Sequence, residues 1–402
     1  MSRCSIGNAT LDNLRGITKD NLAALEAAVD YNIAMGIKLF RISSDIIPFG
    51  SHPVNKLFWW EEFGESITQI GRKITGSGIR ASMHPGQYTV LNSKNSDVVD
   101  NAVSDLIYHC KLLDALGLDA SNKIIIHVGG VYGDKKKGAE AFRLNYLKLP
   151  ENIKNRLVVE NDDKNYTAED VLNISRILEV PVVFDNLHNK LNPSLENIQE
   201  QNLIDICRST WKQSDGAQKI HYSQQKAGGT AGSHSDTIHV EEFMKFYKSL
   251  NDKNIDIMLE VKDKNMSCLK CINSISEITS IKNLEEEWEK YKYFVLSRSV
   301  KIYSEICESL KGKEDVNVVK FYKKIEQAFY TVEDKRAQVN AAQDIWGYIN
   351  KNCKEVEKRR FHKLIKGYTD NGGGLKALKN HLLKCAIEQD IKYLINSYYF
   401  YI

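Results

Sequence analysis

Six short apolar runs in this chain each deliver a side chain that can bind a metal ion. They are Arg80-Ala-Ser-Met-His84, Lys123-Ile-Ile-Ile-His127, Arg156-Leu-Val-Val-Glu160, Val182-Val-Phe-Asp185 with His188 just beyond, Lys219-Ile-His221 and Asp256-Ile-Met-Leu-Glu260. His234 follows on a Gly-rich stretch. Three carboxylates (Glu160, Asp185, Glu260) and five imidazoles (His84, His127, His188, His221, His234) exceed the four ligands of one tetrahedral ion. They suit two or three ions that share carboxylate bridges. Oxygen and imidazole donors without thiolate favour Mn²⁺, Mg²⁺ or Zn²⁺ over copper or iron–sulfur chemistry. Clustered divalent ions of this kind activate water and stabilise both oxygens of an in-line phosphoryl displacement. Any one of these residues alone reads equally well as a core histidine or a structural ion pair. Eight of them at successive strand tips do not.

The elements that must position them follow from the spacing. Short apolar runs separated by roughly 25–40 residues with amphipathic helical patterns are the signature of repeated βα units and a parallel sheet. A sheet closed into an eight-stranded barrel brings every C-terminal strand tip to one face. The expected fold is therefore α/β, a TIM (β/α)8-type barrel. Residues 20–36 read as the first helix, with Leu22, Leu25, Ala28 and Val29 on one face and Gly36 as its stop. Lys38-Leu-Phe-Arg-Ile-Ser43 reads as the next strand, and Trp59-Trp60 as one core anchor plus one rim residue. Asp97 to Leu116 is a helix in which His109 reads as a helix-face residue. His52 stays unassigned, and Asp162 and Asp163 read as spare carboxylates. Lys135-Lys-Lys137, after the glycines that follow His127, reads as a solvated loop tip or a phosphate contact. Lys219 and His221 point to the same side of their strand. A lysine so placed is either a contact to a substrate phosphate or a modified ligand.

At 402 residues the chain is long enough for one large barrel and a smaller unit, expected as 1–281 and 282–402. Its composition, 42% hydrophobic and 27% charged, is that of a soluble globular protein. No stretch reaches the roughly 18 consecutive apolar residues of a membrane span, and the first residues carry no signal-peptide core. A cytoplasmic address and no membrane partner are expected. Eight scattered cysteines suit free thiols in a reducing compartment; Cys268-Leu-Lys-Cys271 is a weak zinc signal and reads better as a helix surface. Residues 290–402 hold 22 Lys/Arg against 13 Asp/Glu, a net of +9, leaving 33 against 39, a net of −6, in residues 1–289. Attraction to a polyanion must then come from local patches, bound cations or the C-terminal part.

Phe40-Arg-Ile-Ser-Ser-Asp-Ile-Ile-Pro-Phe-Gly-Ser-His-Pro53, Ser82-Met-His-Pro-Gly-Gln-Tyr88, His127-Val-Gly-Gly-Val-Tyr-Gly133, Val159-Glu-Asn-Asp162, Val183-Phe-Asp-Asn-Leu-His188 and Lys219-Ile-His-Tyr-Ser223 resemble the UV damage endonucleases, also called UV dimer endonucleases, from about residue 4 to 275. That family is similar to endonuclease IV and the xylose-isomerase-like barrels. The resemblance implies a DNA repair enzyme that binds double-stranded DNA containing UV lesions. It would nick the phosphodiester immediately 5′ to pyrimidine dimers and related photoproducts, leaving a 3′-hydroxyl and a 5′-phosphate. It also implies that His84, His127 and Glu160 hold one ion, with Glu160 bridging; Asp185, His221 and Glu260 complete a second, and His188 with His234 a third. Gln87 and Tyr88 would wedge into the duplex. Catalysis is assigned to Glu160, Lys219 and His221, in a monomer.

The chain departs from that family at its start. Members open with a complete first strand bearing a Gly-Tyr pair and an asparagine that probe the lesion, and no such pair stands near Cys4-Ser-Ile-Gly-Asn. Either the first strand is shortened or the sequence starts downstream of it, which bears on barrel closure. Beyond Ile281 the helical patterns Trp288–Ser309, Val316–Val332 and Ala337–Val356, the turn Asn371-Gly-Gly-Gly374 and a last helix to about Tyr398 are similar to the YbgA-like all-helical domain. There His362 and His381 read as surface residues. Two other functions fit the same barrel: an abasic-site endonuclease of the endonuclease IV type, and a sugar isomerase, which needs no DNA.

Overall fold

Four or five aliphatic and β-branched residues bounded by turn formers are too short for a helix and well suited to a strand buried on both faces. In the computed structural model, which describes residues 1–194, 198–276, 281–311 and 317–402, every such run is a strand. They are β1 (Leu39–Ile42), β2 (Arg80–Met83), β3 (Lys123–His127), β4 (Leu157–Glu160), β5 (Val182–Asp185), β6 (Lys219–Tyr222) and β7 (Asp256–Leu259). They pair in parallel and in chain order. Helices fill the connections, as a parallel order demands: Gly64–Gly76 joins β1 to β2, Ser96–Ala115 joins β2 to β3, and Ala168–Leu178 joins β4 to β5.

The α/β barrel expected from the spacing is thus what the chain adopts, with seven strands among the described residues where eight were expected. Before the helix Leu11–Ala34 there is only a 3-10 turn, Ile6–Asn8. No hydrogen-bonded ladder joins β1 to β7 among the described residues. Instead Arg41 of β1 pairs with Glu260, just past β7, at 2.6 Å.

Strand parity sorts the interior into layers. At the bottom, the heads of the runs are basic. Arg80 donates to Asp256 at 2.5 Å and to the carbonyls of Ala217 and Asp215 at 2.6 Å, and Lys123 donates to Asp215 at 2.5 Å. Above them Ile125, Val158 and Val183 form an apolar layer. Above that stand the candidate ligands. Buried apolar residues of the surrounding helices, Leu22, Leu25, Val29, Ile67, Ile70 and Leu113 among them, pack the outer layer. Gly71 is required there, since a Cβ at that position would meet the Leu116 carbonyl oxygen at 1.7 Å.

Several helices differ from their expected limits for local reasons. The first begins at Leu11 because Thr10 accepts from the Asn13 N–H and caps it, and Leu14 and Thr18 extend the buried face. Lys135–Lys137 form the first turn of the helix Lys135–Leu147 rather than a loop tip, because Asp134 caps the Lys137 N–H. Trp59 is buried and Trp60 half-buried, as one anchor and one rim residue. No helix among the described residues is long and apolar enough to cross a membrane.

By compactness the chain divides into a unit of Met1–Ile238 with Tyr247–Leu269, and a second of His239–Phe246 with Lys270–Ile402. The second is helical: Ile281–Arg298, Val300–Lys311, Val318–Tyr330, Lys335–Ile349, Glu355–Asn371 and Leu375–Glu388. The pattern Trp288–Ser309 breaks at Ser299, and Val316, the expected start of the next helix, lies outside the described residues. Its core includes Ala341, Ile345, Trp346, Phe361, Leu378 and Leu382.

Candidate metal centre at the barrel mouth

Register brings the strand tips together. His127 stands opposite Glu160 across β3 and β4, and Asp185 opposite His221 across β5 and β6. Glu260 is aligned by its N–H, which donates to the Tyr222 carbonyl at 2.9 Å. His84 follows β2 at the turn Pro85-Gly86. His188 sits in the helix Asn186–Leu191, whose N-cap is Asp185, with the His188 N–H donating to Asp185 Oδ1 at 2.7 Å. His234 is returned by a hairpin: Lys226 N–H donates to the Ser233 carbonyl at 2.7 Å, Ser235 N–H to the Gln224 carbonyl at 2.8 Å, and Gln225 bridges to His234.

Glu160 lies at the centre and is 1% exposed. Its Oε2 is 3.0 Å from His84 Nε2 and 3.5 Å from His127 Nε2; its Oε1 is 2.7 Å from His221 Nδ1 and 3.6 Å from His188 Nδ1. Each carboxylate oxygen therefore faces its own pair of imidazoles. Two three-residue groups, His84–His127–Glu160 and Glu160–Asp185–His221, each offer ligand atoms within 4.8 Å of one another and share Glu160. Glu260 Oε1 lies 3.5 Å from His221 Nδ1, and Glu260 Oε2 lies 3.5 Å from His234 Nε2. All eight residues expected as ligands thus meet at one mouth.

The electrostatics fit bound cations. Asp185 is fully buried, its Oδ2 has no hydrogen-bond partner, and burial with Glu160 and Glu260 nearby pushes its carboxyl up to about 8. Burial also disfavours charge on Glu160, but His221 and His127 outweigh it and hold its carboxyl well below the usual range. On Glu260 burial is outweighed first by Arg41 and then by His221, and the carboxyl is held down at about 2. Burial pushes His127 and His221 down, toward the neutral imidazole that ligates metals, and His127 Nδ1 is buried without a partner. A buried carboxylate oxygen and a buried ring nitrogen left unpartnered beside three acids and five histidines are what divalent ions would satisfy.

Around this group the structure adds residues that the sequence did not single out. Arg41 Nη2 is 2.6 Å from Glu260 and 2.9 Å from His221 Nε2. Asn161 fixes the β4–β5 edge by accepting from the Asp185 N–H at 2.8 Å, while its carbonyl faces His188 Nδ1 at 2.9 Å. His109, expected on a helix face, is fully buried. Its Nδ1–H donates to the Asp105 carbonyl and its Nε2 lies 2.8 Å from Ser44 Oγ, which is also 3.1 Å from the His84 carbonyl oxygen. It supports the His84 turn. Gly129, at φ +112°, holds the loop past His127 where a Cβ would strike Asn92 Oδ1 at 2.3 Å.

Gln87 and Tyr88 are exposed beside His84, Tyr88 by 72%. Lys219 is fully buried below the ligands; its Nζ has no hydrogen-bond partner, and burial, with Arg80 nearby, pushes it down to about 7. His52 does not join the cluster. Cys268 and Cys271 lie on one helix, Asn265–Ile275, and no group of three ligating side chains includes them among the described residues.

The family model described as UV-endonuclease UvdE matches residues 1–292, and one described as a protein of unknown function, DUF1722, matches residues 292–402. A protein named UV DNA damage endonuclease from Clostridium perfringens (strain 13 / Type A) is 40% identical over 377 residues, which is 88% of this chain and 90% of the relative. One of the same name from Bacillus cereus (strain 03BB102) is 37% identical over 276 residues, or 68% of this chain and 86% of the relative. The crystal structure of SacUVDE superposes with a TM-score of 0.65 at 37% identity, covering 69% of this chain and 93% of that one. The Clostridium alignment is long enough to take in part of the helical unit as well.

Proposed function

The chain belongs to the UV-endonuclease UvdE family, and from that membership we propose that it is a metal-dependent monomer that nicks double-stranded DNA immediately 5′ to ultraviolet photoproducts. Residues 1–281 carry the nuclease and residues 282–402 a basic helical domain. The observation that supports this reading most is Glu160, whose two oxygens face two separate imidazole pairs.

His84 and His127 with Glu160, and Asp185, His221 and Glu260 with the same Glu160, would hold two divalent ions; His188 and His234 would hold a third. Mn²⁺ is the first choice for this oxygen and imidazole set. Such ions supply an activated water and charge compensation at a phosphodiester. The chain's own residues do the rest. Arg41 keeps Glu260 ionised and aimed between His221 and His234. His109 and Ser44 hold the turn that sets both His84 and the exposed pair Gln87–Tyr88. That pair is positioned to fill space left by an extruded lesion, because it flanks a metal-ligand candidate and projects into solvent.

The reading is tested by comparing nicking of UV-irradiated, abasic and unirradiated supercoiled plasmid, with EDTA and Mn²⁺ arms. Cleavage confined to irradiated plasmid, abolished by EDTA and restored by Mn²⁺, is expected. Preference for abasic plasmid moves the protein to the endonuclease IV type, and no cleavage of any plasmid removes the nuclease assignment.

Lys219 is either a phosphate contact or a carboxylated ligand, and its full burial favours the second. A carbamate formed from CO₂ would turn an unpartnered cation among Arg80, Arg41 and Lys123 into an anion. Lys219→Arg keeps the positive charge and cannot be carboxylated. It is expected to lower nicking by roughly 10–100-fold, the cost of losing a group that supports metal ligands. Native mass of the wild type should show one added CO₂ that the variant lacks. An unmodified wild type would leave the phosphate contact.

The basic domain is expected to contribute phosphate contacts. A cut at Lys282 is a poor test, because Val240 and Lys270 of the same compact unit both pair with Glu326, at 2.9 and 2.8 Å. Neutralising exposed Arg359, Arg360, Lys363 and Lys366 to glutamine in the full chain preserves that packing. If all four meet phosphates, the slope of log K against log salt should shrink by about 3–4, at about 0.9 per phosphate. An unchanged slope assigns the basic face another role.

A further inference from the structure

The second unit contains a group of thiol, imidazole and carboxylate side chains that the barrel chemistry does not use. Cys353 ends the short turn after Lys335–Ile349, Glu357 lies in the first turn of Glu355–Asn371, and His381 and Cys385 are one turn apart on Leu375–Glu388. One ligand atom each from Cys353, Glu357 and Cys385 lies within 4.8 Å of the others. Cys385 Sγ is 3.9 and 4.0 Å from the two ring nitrogens of His381. The two thiols and the imidazole are buried, at 7%, 1% and 5% exposure. His381, which its sequence context placed on the surface, is therefore an interior residue.

Three details go beyond a packed core. His381 Nε2 lies 3.0 Å from the Glu357 carbonyl oxygen. By accepting from the Nε2–H, that carbonyl fixes the tautomer and leaves Nδ1, 4.0 Å from Cys385 Sγ, with a free lone pair, which is how the ligating nitrogen of a metal-binding imidazole is left available. Gln389 donates to Cys353 Sγ at 3.4 Å and to the Ile349 carbonyl at 3.0 Å, while its Oε1 is buried without a partner. Around tetrahedral zinc with Zn–S near 2.3 Å, neighbouring sulfurs stand about 3.8 Å apart, so the observed spacing is within about 1 Å of closing.

We propose that Cys353, Glu357, His381 and Cys385 form a structural zinc site. Four protein ligands leave no open position, so the ion would tie the turn ending at Cys353 to two helices rather than bind substrate. Burial first, and the neighbouring Cys353 after it, push the Cys385 thiol up to about 12, and burial raises Cys353 as well. Without metal both are protonated; on binding, each thiol loses its proton to solvent and the thiolates bond the cation.

Cobalt reports on this site without interference from the barrel, whose ligands are oxygen and imidazole. Full-length reduced protein titrated with Co²⁺ should develop a thiolate-to-cobalt charge-transfer absorption whose plateau intensity corresponds to about one thiolate-bound cobalt per chain and which is bleached by Zn²⁺. Cys385→Ser and Cys353→Ser should lose the band completely, and Cys268→Ser should keep it. Absence of the band in the reduced wild type overturns the proposal, and needs no variant to fold. Survival of the band in Cys385→Ser, or its loss in Cys268→Ser, overturns it equally, by placing the thiolate elsewhere.

Discussion

Glu160→Gln is expected to lower nicking of irradiated plasmid by about 10³-fold or more, with the fold and DNA affinity largely retained. The amide keeps the size of the side chain but carries no charge, and only one of its two terminal atoms is an oxygen, so it cannot join two cations. Ions at a phosphodiester contribute several kcal/mol of transition-state stabilisation, and each 1.36 kcal/mol is tenfold in rate. The loss should appear at saturating DNA, because Glu160 is 1% exposed and so offers DNA almost no surface to bind. Metal content should fall in the same variant, which separates loss of ions from loss of a proton carrier. Circular dichroism and a gel-shift assay provide the controls. Wild-type rates from the purified variant would remove the centre of the proposed function.

Replacing Gln87 and Tyr88 together with alanine should reduce the preference for irradiated over unirradiated DNA by roughly 10–100-fold while metal content stays unchanged. Extruding a damaged nucleotide costs a few kcal/mol. An aromatic face that stacks in its place returns about 1–3 kcal/mol. Tyr88 has its ring free to do so, at 72% exposure. Truncating it costs no core packing, so a change in discrimination cannot be blamed on instability. Discrimination equal to wild type would assign lesion sensing to other residues.

The barrel and the convergence of its candidate ligands were legible in the sequence because both are written locally. A run such as Lys123-Ile-Ile-Ile-His127 declares its strand by apolar content and its chemistry by the last residue, and parallel pairing does the rest. What the sequence did not reveal depends on partners far along the chain. Arg41 lies in the middle of β1, where nothing local distinguishes a guanidinium that meets Glu260 from one that meets solvent. His109 and His381 sit on amphipathic helices next to polar residues, and whether such a position is buried is decided by which helix packs over it. The Lys135–Lys137 run looks like a loop tip by charge; Asp134 converts it into a helix start by capping one N–H. The expected eighth strand is a prediction of the closed-barrel rule rather than of any residue, and here Arg41 and Glu260 face each other across the gap between β1 and β7.

The candidate ligands of the mouth are spread over six successive strands and the segments that follow them, from His84 after β2 to Glu260 after β7. During synthesis this spreads the site along the emerging polypeptide. When β4 leaves the ribosome, Glu160 has only the His84 and His127 side of its carboxylate furnished. The His221 side, and the Arg41–Glu260 pairing that spans the ring, wait for β6 and β7. On the proposed assignment, a nascent chain would hold one ion weakly well before it could hold a pair. Full loading would come with ring assembly, and nuclease competence would not precede completion of the barrel. The order of translation itself would then keep an unfinished chain from cutting DNA.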